Sequence, residues 1–208
     1  MLRQDGRRSI VWFRGKDLRL ADHEPLADAV ARGEVIPLFV LDPFFFAPDR
    51  ARAIPHRMQF LLDSLQELAA AIARLGSRLV IVNGRSTEVV PRLARRWKAD
   101  RVVAHRWSEP FGRERDRRVA AALGPTPLHL HDGETLAPPG TLRTASGRPY
   151  GVFGPFARSF LRIASVATPL PAPRSLPPPS RRRRRALGTG AHVRGARPRA
   201  QPADSRRG

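Results

Sequence analysis

Ile10-Val11-Trp12-Phe13-Arg14-Gly15-Lys16-Asp17-Leu18-Arg19-Leu20-Ala21-Asp22-His23-Glu24-Pro25-Leu26 decides how this chain folds. Four apolar residues end abruptly in alternating charges, and a helical pattern begins at Pro25. Physically this is a buried strand, a basic loop and the first turn of a helix. In open α/β sheets, ligands bind just beyond the carboxyl ends of such strands, so the loop is also the first place to look for a site.

Working outward, the same alternation repeats. Strands are predicted at Ser9 to Phe13, Val35 to Leu41, Leu79 to Asn83, Arg101 to His105 and Thr126 to Leu130, all short and bounded by Gly, Pro or charge. Helices are predicted between them. Pro25 to Arg32 has Asp22 available as a cap and Gly33 as a stop. Pro55 to Leu75 repeats apolar residues every three or four positions and stops at Gly76. Ser86 to Lys98 has Ser86 as a candidate cap, and Arg113 to Leu123 stops at Gly124. A further apolar-aromatic segment covers Val152 to Ile163. Five strands alternating with helices predict an α/β fold, a Rossmann-like, mainly parallel sheet with helices on both faces.

The rest of the chain has a different composition. Residues 1–8 are polar and predicted to be a flexible N-terminus, with no apolar segment of the kind a secretory signal needs. Residues 169–180 hold six prolines and read as an extended linker, nearly free of core contacts. Residues 181–208 carry ten Arg against one Asp, lack hydrophobic periodicity and predict a disordered tail. The net charge of +20 favours anionic partners such as nucleic acid. Against that, 36 of the 38 basic residues are Arg, and the chain is rich in Ala and Pro, as a GC-rich coding bias produces. With no cysteine, disulfides, zinc–thiolate sites and thiol nucleophiles are excluded. No run reaches the ~18 apolar residues of a membrane span, so the expectation is a soluble, cytoplasmic protein without a membrane partner.

Two more loops carry chemistry. Val40-Leu41-Asp42-Pro43 places a carboxylate just past a buried strand, where it can accept from a ligand or cap its own loop. Trp107-Ser108-Glu109-Pro110-Phe111-Gly112-Arg113 sets a carboxylate, an aromatic face and a close-approach Gly ahead of a helix. Such a set suits a planar ring with polar edges, and a capping loop is the plainer alternative. His129 and His131 share one side of a strand, and two histidines alone read as ordinary surface or core residues rather than metal ligands. Neither a Gly-x-Gly-x-x-Gly nor a Gly-Lys-Ser/Thr loop is present.

These motifs together resemble the DNA photolyase and cryptochrome family. Trp12-Phe13-Arg14 through Leu20 is similar to its Trp-Phe-Arg-Arg-Asp-Leu-Arg-Leu, with Gly15 added and Lys16 before Asp17. Glu109-Pro110-Phe111-Gly112-Arg113-Glu114-Arg115-Asp116 resembles the Glu-Pro-Tyr-Gly-Arg-x-Arg-Asp of members with a deazaflavin antenna, with Trp107 where an Asp is expected. Leu38 to Pro43, Pro55-His56-Arg57 and Gly147 to Phe156 extend the likeness, which runs from about Ser9 to Pro179.

The resemblance implies that residues 9–168 are an α/β antenna domain. Its cofactor site would use Val40, Leu41, Asp42, Arg57, Glu109, Pro110, Phe111, Gly112 and Arg113, gathered in one cleft. The pigment implied is 8-hydroxy-5-deazaflavin or a flavin, with FAD expected only alongside the family's helical catalytic domain, which follows the linker. The family is a carbon–carbon lyase, deoxyribodipyrimidine photo-lyase, and it acts on DNA. A chain of this length is expected to be a truncated form that does not repair DNA alone and touches DNA only weakly and nonspecifically. Two alternatives stay open: a pigment-free nucleotide-binding or protein-interaction module of the same fold, and a nonspecific nucleic-acid binder acting through the basic tail.

Overall fold

The structure, a computed structural model, describes residues 7–163 and 167–177. Five strands, β1 (Arg7–Phe13), β2 (Gly33–Leu41), β3 (Val80–Asn83), β4 (Arg101–His105) and β5 (Leu128–His131), form one sheet in the order β3-β2-β1-β4-β5. Every pairing is parallel, from Ile10↔Ile36 on one side of β1 to Ile10↔Val102 on the other. The expected mainly parallel sheet is thus parallel throughout its described pairings. Parallel neighbours need crossovers, and helices α1 (Glu24–Arg32), α4 (Pro55–Arg74), α5 (Ser86–Trp97) and α6 (Pro110–Leu123) supply them. Two short helices, α2 (Pro43–Phe46) and α3 (Pro48–Ala53), and a last helix, α7 (Phe153–Ile163), complete the set.

Alternation along β1 divides the interior. Ile10 and Trp12 point into a core with Ile36, Leu38, Val89, Val90, Leu93 and Val119, beneath α5 and α6. Val11 and Phe13 point the other way, onto Leu26, Leu65, Leu68 and Ile72 of α1 and α4. A strand buried on both faces must be apolar at every position, which is why Ile10 to Phe13 reads as an unbroken run. Pro37 lies within β2 opposite Val11, one residue before β3 begins to pair at Leu38↔Val80. Its missing N–H thus falls where β2 has a single neighbour.

Three expectations need correction. The α1 cap is His23, whose Nδ1 accepts from Leu26 N–H at 3.1 Å; Asp22 instead turns the chain at φ 49°. Ser86 is the first residue inside α5 and Arg85 holds the cap position, because Ser86 donates its N–H and Oγ–H to Asp42. Residues 167–177 carry neither helix nor strand, as expected of a linker, yet they are not free of the core. Leu176 is 1% exposed among the α1/α4 residues, and its N–H donates to Leu75 O at 2.9 Å. Asp22 N–H donates to Leu170 O and Val35 N–H to Pro177 O, so this strap crosses from one edge of the sheet to the other. The expected flexible N-terminus (apart from Arg7 and Arg8) and the expected disordered tail lie outside the described residues.

Candidate functional site

Sheet order fixes where a site forms. Chain connections run from β1 towards β2 and β3 on one side, then to β4 and β5 on the other, so the loops after β1 and β4 part at a topological switch point. Asp17 holds the first loop, accepting from Arg14 N–H at 2.5 Å and facing His105 Nδ1 at 3.2 Å. Burial opposes its charge, but the His105 hydrogen bond and the Arg14 charge outweigh that and keep its pKa below the ordinary carboxylate value. Lys16, next in the loop, spans to Glu109 at 2.8 Å and Glu134 at 2.5 Å, tying the β1, β4 and β5 loops together. Glu134 also accepts from Ser108 N–H, and these bonds overcome partial burial to bring its pKa to about 2.

Beneath the loops lies a charged layer within the apolar interior. Arg14 gives Nη1 to both oxygens of Asp116, and Arg115 meets the same carboxylate from the side. All three are at most 7% exposed. Both guanidiniums lie over Trp12 and Trp107, at 4.4 to 5.5 Å from the ring centroids. Gly112 is small because Trp107 is there: an added Cβ would meet Trp107 Cβ at 2.5 Å.

The β2 and β4 loops meet through aromatic rings. Phe44 and Phe111 stack at 3.9 Å between centroids and 16° between planes, Phe45 packs edge-on against Phe111, and Arg50 lies 4.4 Å over Phe44. Phe44 and Phe111 are 40% and 38% exposed. Of the residues expected at the site, Glu109, Pro110, Phe111, Gly112 and Arg113 share the start of α6, and Phe111 reaches the β2 side. Asp42 caps α2 through Phe44 N–H at 3.0 Å and anchors α5 through Ser86, so it braces its own loop. Val40 is buried in the α5/α6 core, Leu41 packs at the edge of the other core, and Arg57 is exposed on α4. Two cavities among the described residues at this edge take Glu109, Pro110 and Arg113 of the expected set, and neither takes Val40, Leu41, Asp42, Arg57, Phe111 or Gly112.

Sequence reasoning missed Phe44 and Phe45, which the run Phe44-Phe45-Phe46 after a loop proline signals as exposed apolar surface. It also missed Lys16 with Glu134, a pairing 118 residues apart that no local pattern encodes. His131 does have acidic neighbours, Glu24 at 3.4 Å and Asp28 at 3.2 Å, both brought by α1. Asp17, His23 and His105 cluster closely enough to suggest a metal site. His23 opposes that reading: Nδ1 accepts from Leu26, so Nε2 carries the proton and offers no lone pair. Burial brings the His23 pKa to about 3 and keeps the ring neutral.

A sequence model of the DNA photolyase family matches residues 9–175. The chain is 43% identical over 168 residues to the deoxyribodipyrimidine photo-lyase of Thermus thermophilus, a match covering 81% of this chain and 36% of that protein. It is 36% identical over 175 residues to cryptochrome DASH of Gloeobacter violaceus, covering 81% of this chain and 35% of the relative. A crystal structure of the class III photolyase of Agrobacterium tumefaciens superposes with a TM-score of 0.72 at 32% identity, over 83% of this chain and 35% of that one. The chain thus spans about a third of the length of these relatives. Among the described residues no helix is long and apolar enough to cross a membrane. With the parallel five-stranded sheet, the switch-point loops and the matched segment in agreement, the chain belongs to the DNA photolyase family.

Proposed function

We propose that residues 9–168 form a light-harvesting antenna domain that binds a planar heteroaromatic pigment, 8-hydroxy-5-deazaflavin or a flavin, at the carboxyl edge of the sheet. The observation that carries this is the half-exposed Phe44–Phe111 stack bridging the β2 and β4 loops. Phe44 and Phe111 fill each other's inner faces, so a flat ring would pack along the exposed side of the pair, where Arg50 over Phe44 can meet a polar edge. Glu109 stands at the start of α6 as an acceptor for ring or sugar-alcohol donors, while Phe111 and Phe45 exclude water from the ring. Such a pigment would supply visible-light absorption; the protein supplies the rigid edge that holds it.

Light-driven splitting of pyrimidine dimers, the activity the photo-lyase relatives' name denotes, is proposed only for the longer family architecture, of which this chain matches about a third. Contact with DNA belongs to that architecture as well, and a soluble cytoplasmic setting is part of the same proposal.

Titration of the protein with 8-hydroxy-5-deazaflavin and with riboflavin phosphate, followed by absorbance and fluorescence, tests the reading. Saturable binding of one of them is expected, weakened roughly tenfold in Phe111→Ala, about what loss of one buried ring face is worth. Failure of both to bind would replace the antenna by a colourless module. Salt-sensitive DNA affinity that disappears when residues 181–208 are deleted would favour the basic-tail reading instead.

A further inference from the structure

A second cavity opens at the same edge, beside Trp107. It has a volume of about 430 Å³ and lies between the loops after β1, β4 and β5, at the switch point itself. Open α/β sheets hold ligands there, and the size suits a small organic molecule. Its floor is the Asp17–His105 pair, Trp107 and Ser108 form a wall, and Lys16 and Arg19 stand at the mouth.

His105 is set up in a way that a purely structural histidine does not require. Asp17 is ionised, so the Nδ1 facing it at 3.2 Å carries the proton, and Nε2 is left with a lone pair. His23 packs edge-on against the ring at 4.5 Å and fixes its plane. Nε2 has no partner among the described residues and is not among the sealed buried atoms. Gly133 keeps it open: a Cβ there would stand 3.0 Å from Nε2, in the very space a ligand atom would occupy. A base oriented by a carboxylate, locked in rotation and facing a cavity is the arrangement that accepts a proton from a bound hydroxyl.

The groups at the mouth narrow the ligand class. When an O–H gives its proton to Nε2, the electron pair stays on oxygen as an oxyanion, and the imidazolium formed lies against Asp17. Lys16 uses two of its three N–H groups on Glu109 and Glu134, leaving one for that oxyanion, while Arg19, held on Asp22, adds positive charge to the lining. Trp107 lines the cavity with Lys16 Nζ 5.0 Å from its ring centroid, an apolar wall beside the cation. We propose that this cavity is a binding site for a small hydroxy-aromatic molecule with an acidic O–H, taken up with its proton on His105 and its oxygen towards Lys16. The site takes neither Phe44 nor Phe111 and shares only Glu109 with the proposed pigment edge.

4-Nitrophenol serves as the probe, because its ionisation is visible as a yellow absorbance. The full chain is expected to bind it saturably in the ionised form at a pH where the free probe is mostly protonated. His105→Gln should weaken binding by about tenfold or more, the cost of losing a charge-assisted hydrogen bond. As a measurement that needs no variant, diethyl pyrocarbonate should acylate His105 at Nε2, located by peptide mass spectrometry, while His23 stays unmodified. Saturating 4-nitrophenol should protect His105 and leave the exposed His56 reactive. Absence of probe binding, equal binding by the variant, or a His105 as inert as His23 would each overturn the proposal.

Discussion

Replacing Asp116 by Ala should be among the most damaging changes in this protein. Its carboxylate, 3% exposed, accepts from Arg14 at 2.9 and 3.0 Å and from Arg115 at 2.8 and 3.0 Å. Without it, two guanidiniums remain between Trp12 and Trp107, out of reach of water. Arg14 already leaves Nε and Nη2 unpartnered, and burial pulls the Arg115 pKa below its ordinary value, so neither has reserve solvation. Breaking a buried ion pair by removing one partner costs about 3–5 kcal/mol. For a domain of this size that lowers the melting temperature by roughly 2–4 °C per kcal/mol, or on the order of 10 °C. Urea unfolding followed by far-UV circular dichroism would show the midpoint falling with the slope unchanged. Asp116→Ala with Arg14→Met should recover part of the loss, since one stranded charge is gone. A loss below about 1 kcal/mol in the single variant would refute the claim that Asp116 neutralises this layer.

Leu176→Ala should cost about 3 kcal/mol, the usual price of a fully buried leucine, and limited proteolysis should then cut within residues 167–177. Gly112→Ala should cost about 1–3 kcal/mol and alter the near-ultraviolet spectrum of Trp107, because the new Cβ must displace that ring. His23 is neutral when folded, with its pKa lowered to about 3, and binds a proton near 6.5 when unfolded. Its contribution to stability is therefore complete above pH 6.5 and declines as the pH falls towards 3, by up to about 1.4 kcal/mol per unit. His23→Asn keeps a capping side chain and should flatten that slope in urea titrations between pH 6.5 and 4.

The sheet was legible because both faces of its central strands are buried. Ile10 to Phe13 and Val102 to Ala104 are apolar at every position, and such runs survive inspection without tertiary knowledge. The β5 strand begins at Leu128, two residues later than expected, since Thr126 turns back on Leu123 instead of pairing. Caps were less legible: Asp22 and His23 are adjacent and both can cap, and only the positive φ of Asp22 decides between them. Within the candidate site, the α6 residues were readable as one contiguous motif. Lys16 with Glu134, Asp17 with His105 and Arg14 with Asp116 were not, because each joins loops or helices 88 to 118 residues apart through charge alone. Leu176 escaped for the opposite reason, a single anchoring side chain in a stretch whose prolines advertise exposure.

The strap has a consequence for how the domain can be joined to anything else. It starts beside Asp22, at the edge that carries the ligand loops, and is stitched to Val35 at the entrance of β2. At Pro177 the strap therefore lies on the side opposite the receptive loops, with the seven residues of β1, about 23 Å, between them. Cargo spliced in after Pro177 would hang from the back of the sheet, and its size would be invisible to the loops at the front. A donor dye on that side and a ring seated on Phe44 and Phe111 would be held apart by a rigid strand, so the fold is a built-in spacer as much as a container.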